Sequence, residues 1–367
     1  GTLGNILDAD SSQCDVLQLQ SPVLTNAQYH MLRDHMGDKA VDIDCTFDST
    51  GKTKNALRKA VSRIQKDAED AVRGGCTYVV LTDHNIGTDR APMPMILATG
   101  AVHTHLMRQK LRTFTSLNVR SGECLDTHYF AVLIGVGATT VNAYLAQEAI
   151  ADRHSKGLFG DASLGDTMAR YKKAIDEGLR KIMSKMGISV ISSYRGGYNF
   201  EAVGLSRSLV AEFFPGMTSR ISGIGLPGIQ KKVKAQHRLA YQPGVITLPV
   251  GGFYRYRAQS GDAHSFDGRL IHTLQAAVEK DSYQIFQKYS EGMRKLPPIS
   301  LRDLLDFRPI NDTIPPEQVE STTEIRKRFV TPGMSLGALS PEAHGTLNIA
   351  MNRIGAKSDS GEGGEDR

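Results

Sequence analysis

The sequence holds little that metal, membrane or hydrolytic chemistry could use. Its four cysteines, Cys14, Cys45, Cys76 and Cys124, stand apart with no Cys-x-x-Cys pairing. That excludes a local zinc or cluster motif and fits reduced structural thiols in a cytosolic protein. The longest apolar run, around Tyr129–Ala138, is about half of what a membrane-spanning helix needs, and no secretory signal opens the chain. No charge of one sign dominates. Lys plus Arg number 44 against 39 Asp plus Glu, and a formal charge of +5 over 367 residues is too thin to argue for a nucleic-acid or membrane partner. No Walker loop appears, so no familiar phosphate loop is on offer.

What is present is an ordinary globular composition, 40% hydrophobic and 23% charged. At roughly 100–200 residues per domain the length suggests two or three domains, each able to bury a core. The chain does not begin with Met and stops at Ser-Gly-Glu-Gly-Gly-Glu-Asp-Arg, and it reads as a piece of a longer one.

The local pattern is α/β. Ala56, Leu57, Ala60, Val61, Ile64, Ala68, Ala71 and Val72 recur at helical steps from Lys54, and Gly74-Gly75 ends the helix as a left-handed cap would. Tyr78–Leu81 is a short β-rich run with the polar tip Thr82-Asp83-His84-Asn85. Leu117–Val119 and Tyr129–Ile134 read as further strands, separated by Arg120-Ser121-Gly122-Glu123. A helix is expected over Asp166–Met186, then a strand Ile188–Ser192, the tip Ser193–Gly197, and a helix Phe200–Phe214. Such alternation favours a parallel sheet covered by helices, with chemistry at the carboxyl ends of its strands.

After a polar stretch at Gln259–Asp267, helical periodicity returns over Leu270–Tyr289. Pro297-Pro298 and Pro315-Pro316 bracket an ordered linker. Thr322–Phe329 is then helical and Phe329-Val330 opens a strand whose loop end is Met334–Ser340. Ser340-Pro341 starts a helix that Gly355 ends.

Few motifs carry chemistry. Gly223-Ile224-Gly225-Leu226-Pro227-Gly228 has dinucleotide-loop spacing, but the sequence places a helix and Pro215 before it and no acidic residue about twenty positions on, so a glycine-rich turn is the better reading. His103-x-His105 and Asp126-x-His128 would share a face if they lay on strands, yet no third metal ligand is fixed by spacing. Ordinary hydrogen-bonded residues are favoured there, and no metal site is assigned. Lys231-Lys232-Lys234 and Arg326-Lys327-Arg328 read as solvated helix faces. In Ser360-Gly361-Glu362-Gly363-Gly364-Glu365-Asp366, glycines would let a ligand approach the backbone and two carboxylates three residues apart could handle a proton; a flexible acidic loop has the same composition.

Several segments together resemble the glutamate synthase family. They include Leu19-x-Ser21-Pro22-Val23-Leu24, Leu81-Thr82-Asp83, Ser192-x-Tyr194-Arg195-Gly196, Phe200–Leu205, Phe214-Pro215-Gly216-x-x-Ser219-Arg220 and Leu301–Phe307. Met334–Ser340, Asn348–Gly355 and Gly361–Asp366 follow, in one consistent order along nearly the whole chain.

The resemblance implies an enzyme that makes glutamate from glutamine and 2-oxoglutarate, an oxidoreductase acting on CH–NH2 donors. It implies a degenerate (β/α) barrel-like central domain over 1–262, a connector over 263–320, and over 321–367 the truncated start of a (β/α)8 FMN barrel. Met334, Ser335, Leu336 and Gly337 would then meet FMN, while Glu362 and Glu365 would stand at the next strand end as catalytic carboxylates.

FMN and an iron–sulfur cluster belong to the full-length enzyme, and this piece is expected to bind neither and to be inactive alone. Its partners would be the remaining amidotransferase and FMN regions and a small electron-donating subunit or ferredoxin, in the cytoplasm, with NADPH, NADH and ferredoxin all open as donors. Two other readings stand: a non-catalytic scaffold lining the ammonia tunnel, and an independent flavin-barrel oxidoreductase.

Overall fold

The computed structural model describes residues 16–51, 53–244, 264, 265, 267–309, 313–359 and 361. The chain divides into two compact units, Gly1–Leu248 and Pro249–Arg367. Cys14, Glu362, Glu365 and most of the polar stretch at 259–267 lie outside the described residues.

The first unit runs α1 (Asn26–Met36), β1 (Ala40–Asp44), β2 (Thr46–Asp48), α2 (Ala56–Arg73), β3 (Tyr78–Thr82), β4 (Arg90–Pro92), α3 (Met95–Arg108), β5 (Ser116–Arg120), α4 (Thr127–Gly135), β6 (Thr140–Asn142) and α5 (Tyr144–Ser155). It continues through α6 (Leu164–Lys185), α7 (Ile191–Tyr194), β7 (Glu201–Leu205), α8 (Arg207–Phe213), β8 (Thr218–Ile224) and α9 (Leu226–Ala240).

Four strands form a parallel sheet in the order β1-β3-β5-β6, which is also their order in the chain. Each successive strand is reached through a helix, the connection parallel strands require. Residues 22–24 extend the sheet beside β6: Val141 N donates to Pro22 O and Leu24 N to Val141 O. This is the expected parallel α/β sheet, and the four strands form no closed barrel among the described residues.

Alternation along the strands gives the sheet two unlike faces. Ile43, Val79, Leu81, Leu117, Val119 and Val141 point into one core shared with α2, α3 and α4. Leu57, Val61 and Ile64 of α2 are wholly buried there, each contributing about 1.5–3 kcal/mol. Gly75, at φ +95°, supplies the expected left-handed turn after α2. The opposite face carries Tyr78 and Val80, and Tyr29, Leu32 and Met36 of α1 pack on them. Asn118 and Thr140 share that face; Asn118 accepts from the Thr140 hydroxyl at 2.7 Å. The helix α1 therefore covers the face opposite α2, α3 and α4.

Three expected elements are different. Tyr129–Ile134 is not a strand but the middle of α4, whose first turn is capped by Asp126 Oδ1 accepting from Tyr129 N at 2.9 Å. Phe130, Ala131, Leu133 and Ile134 are all buried, so the helix lacks the polar face that would reveal its period. The strand expected at Ile188–Ser192 does not form. Gly187 turns at φ +69°, and Ile188 N bonds back to Met183 O at 2.9 Å, closing α6 instead of entering a sheet. The helix expected over Phe200–Phe214 is β7 followed by α8. Gly204 sits at φ +77° and the Ser206 hydroxyl caps the new helix through Leu209 N. β7 pairs in parallel with β8 in a separate two-stranded sheet.

The second unit contains α10 (Gly268–Glu279), α11 (Tyr283–Arg294), α12 (Thr322–Arg326) and α13 (Pro341–Arg353). The periodic stretch Leu270–Tyr289 is thus two helices, broken where Asp281 takes φ 45°. They pack closely, since a Cβ on Gly292 would meet Leu270 Cδ2 at 2.3 Å. As expected, Ser340 caps α13 with Pro341 in its first turn. Val330 and Lys357, flanking α12's exit and α13's exit, form a parallel bridge.

Candidate functional site

The carboxyl edge of the four-stranded sheet gathers the polar tips after β3 and β5. Asp83 is 1% exposed, and both its carboxylate oxygens accept from Gly122 N, at 3.0 and 2.9 Å. Burial outweighs this support and pushes its carboxyl up to about 6, although the Tyr144 hydroxyl also donates to it. Arg120 lies between two rings, 5.0 Å from the Tyr29 centroid and 4.9 Å from that of Tyr144. Its Nε is buried without a hydrogen-bond partner. Glu123 caps α3 by accepting from Met95 N at 2.6 Å and also accepts from the Tyr129 hydroxyl. Desolvation holds the Glu123 carboxyl above the usual carboxylate range and the Tyr129 phenol above its own.

These groups are tied to backbone and to one another. They can hold a proton near neutral pH at Asp83 and fix the strand-end loops. Of this cluster the sequence pointed to the two tips. It held no sign of Tyr29 and Tyr144, which arrive from α1 and α5 and would be found only through the pairing of residues 22–24 with β6.

In the second unit, the loop after Val330 and the segment after Lys357 run side by side. Asp359 N donates to Thr331 Oγ1 at 2.9 Å. Met334 is buried, Ser335 and Leu336 are half-buried and Gly337 is exposed. Ala338 N and Leu339 N both donate to Ser335 O, at 3.0 and 3.2 Å, making a tight turn. Gly361 takes φ +92°, and a Cβ there would lie 2.4 Å from Met334 N. The four residues Met334, Ser335, Leu336 and Gly337 thus stay together beside the start of the acidic glycine-rich segment.

The remaining motifs resolve into structural roles. His103 and His105 lie on α3, not on a strand. His103 Nδ1 accepts from Arg112 Nε at 3.0 Å and His105 pairs with Glu69 at 2.7 Å. Asp126 and His128 lie on α4 and its cap. No group of three metal-ligating side chains occurs among the described residues. Gly223–Gly228 follows a strand after all: β8 ends at Ile224 and α9 starts at Leu226. Its glycines serve packing, because a Cβ on Gly223 would strike the Gly204 carbonyl oxygen at 2.1 Å. Lys231 and Lys232 are exposed on α9, while His237 bonds the Gly87 carbonyl at 2.9 Å. The tip at Ser193–Gly197 is not on the carboxyl edge; Gly196 N bonds Ile134 O in the last turn of α4. Cys45 and Cys124 are buried and Cys76 is half-buried, all free. No described helix is long and apolar enough to cross a membrane.

Comparison with known proteins adds two family matches in sequence order: the glutamate synthase central domain over residues 1–206 and the conserved region in glutamate synthase over residues 264–367. The chain is 69% identical over 366 residues to the glutamate synthase (NADPH) large chain of Azospirillum brasilense, covering 100% of this chain and 24% of that one. It is 39% identical to the corresponding chain of Bacillus subtilis, again covering 100% of this chain and 24% of the other. With the ferredoxin-dependent glutamate synthase 2 of Synechocystis it shares 36% identity at the same coverage, 100% and 24%. The chain spans about a quarter of the length of these curated relatives.

Proposed function

Since the chain belongs to the glutamate synthase family, we propose that it supplies the central domain and the opening of the FMN-binding synthase domain of an enzyme making L-glutamate from L-glutamine and 2-oxoglutarate. The observation that carries this reading is the pair of family matches, residues 1–206 and 264–367, in one order on one chain whose relatives match it end to end.

In this reading the first unit joins the amidotransferase and synthase sites and walls part of the path that ammonia follows. The knitting of Asp83, Gly122, Glu123 and Met95 suits that role, because it fixes the strand-end loops instead of leaving side chains free to react.

Met334, Ser335, Leu336 and Gly337 form an edge of the FMN site. They fit a flat ring: the Ser335 turn presents backbone, and a Cβ on Gly337 would meet nothing nearer than Ser335 Oγ at 3.6 Å. FMN, when bound, supplies the hydride that reduces the imine formed from ammonia and 2-oxoglutarate. Glu365 or Glu362 would move the proton to the carbinolamine hydroxyl that leaves as water. The iron–sulfur cluster finds no fit here, since Cys45, Cys76 and Cys124 belong to no described group of three ligands, and no step is assigned to it. The electron donor, a small subunit or ferredoxin, and the cytoplasmic setting belong to the proposal for the whole enzyme.

The test is flavin content. The purified 367-residue chain should carry no stoichiometric flavin and no glutamine-dependent activity, whereas the longer chain containing it should carry both. Stoichiometric FMN on the 367-residue chain would instead favour an independent flavin oxidoreductase.

A further inference from the structure

The inner face of the sheet ends, at the amino edge of its strands, in a cavity of about 1020 Å3. Small-molecule sites are commonly about 300–1,000 Å3. It lies at the opposite edge from Asp83 and Glu123. Leu32 and Met36 of α1 wall one side, and Tyr78, Ser116, Asn118 and Thr140 line the sheet side. The lining includes three cationic side chains, Lys39, Arg112 and Arg195, and one carboxylate, Asp38.

Arg112 is held rigidly. Nε donates to His103 Nδ1 at 3.0 Å, one terminal nitrogen to Thr115 O at 2.7 Å, and the other to Gly137 O at 2.9 Å. All these partners are neutral; the His103 imidazole is held down to about 4 by burial and then by Arg112 and Arg195. Among the described residues, no carboxylate pairs with either arginine. Burial and the Arg195 charge bring Arg112 down to about 10. Two guanidinium charges that repel each other beside a cavity, one of them buried, cost stability unless an anion offsets them. The Tyr78 hydroxyl is buried in the same wall beside Thr140.

We propose that this cavity binds the oxyanion end of a small metabolite, a carboxylate or a phosphate, with the exposed Arg195 as its clamp and Arg112 as fixed charge. Guanidinium suits both groups because its parallel N–H bonds match two oxygens. The proposal does not depend on the glutamate synthase reading, and neither site shares a residue with the other.

Calorimetric titration of the 367-residue chain with inorganic phosphate and, separately, with glutarate tests it, at ionic strength fixed with sodium chloride. Saturable binding of at least one probe is expected; phosphate alone identifies a phosphoryl ligand and glutarate alone a carboxylate. Arg195 is exposed and its side chain makes no hydrogen bond or ion pair among the described residues, so Arg195→Ala should keep the wild-type unfolding midpoint while weakening binding roughly tenfold or more. Arg195→Lys should recover part of the loss. Failure of both probes to bind, or binding unchanged in Arg195→Ala, overturns the proposal.

Discussion

Gly361 lies so close to Met334 that a Cβ at position 361 would stand 2.4 Å from the Met334 nitrogen and 2.5 Å from its carbonyl oxygen. The obstacle is backbone on both counts, and Gly361 also takes φ +92°, a conformation other residues adopt only under strain.

Replacing it should therefore be costly. Gly361→Ala is expected to lower the unfolding free energy of the second unit by about 1–3 kcal/mol and to speed amide exchange at Asp359, whose N–H bonds Thr331. Unchanged exchange at Asp359 would mean that the two loops are not held together as described.

Asp83 predicts a pH dependence. Its folded carboxyl titrates near 6 against an ordinary 3.8, so between those values the folded chain binds more protons than the unfolded one. Stability from this group is full below about pH 4, falls as pH rises toward about 6, and stays low above that. The gap between the folded and unfolded carboxyl corresponds to roughly 3 kcal/mol. Urea unfolding of wild type and Asp83→Asn across that window checks it. The variant should gain on wild type as pH rises, and a constant difference would refute the buried, raised carboxyl.

The glycine-rich turn offers a third check. At Gly223 a Cβ would collide with the Gly204 carbonyl at 2.1 Å, so Gly223→Ala should break the β7–β8 pairing. A loss of about 1–3 kcal/mol is expected, with no nucleotide needed to reveal it. A fully stable variant whose only defect appeared with a dinucleotide would restore the phosphate-loop reading.

Thiol reactivity follows from burial. Cys45 and Cys124 are buried, and desolvation raises both thiols above the ordinary range; Cys76 is half-buried. Mass spectrometry after iodoacetamide treatment should find Cys76 modified before Cys45 and Cys124 in the native chain, those two being labelled only in denaturant. Early modification of Cys45 would contradict the packing around α2 and β1.

What the sequence made legible is what local physics decides. The α2 stripe is visible because one face of that helix is wet; Ser340-Pro341 announces α13 because capping needs those residue types in that order. α4 was hidden because burial on nearly every side erases its period, and Asp126, its cap, was the one local signal of a helix. β7 was hidden because Glu201-Ala202-Val203 suits a helix until Gly204 turns at positive φ, and because its partner β8 lies beyond α8. The Arg120 sandwich and the Arg112 cavity could not be read at all, since they join α1, α3, β5 and α5 through a sheet register that only the fold creates. Family resemblance reached further than periodicity, because Met334–Ser340 and Gly361–Asp366 carry identity without needing their partners.

We propose that this chain works as part of an enzyme moving the amide nitrogen of glutamine onto 2-oxoglutarate. The direct measurement supplies the longer chain containing it with glutamine labelled by heavy nitrogen at the amide, together with 2-oxoglutarate and a reductant, and follows the label by mass spectrometry. Heavy nitrogen in the α-amino group of newly made glutamate is the predicted result. Release of labelled ammonia with no labelled α-amino group would contradict the account.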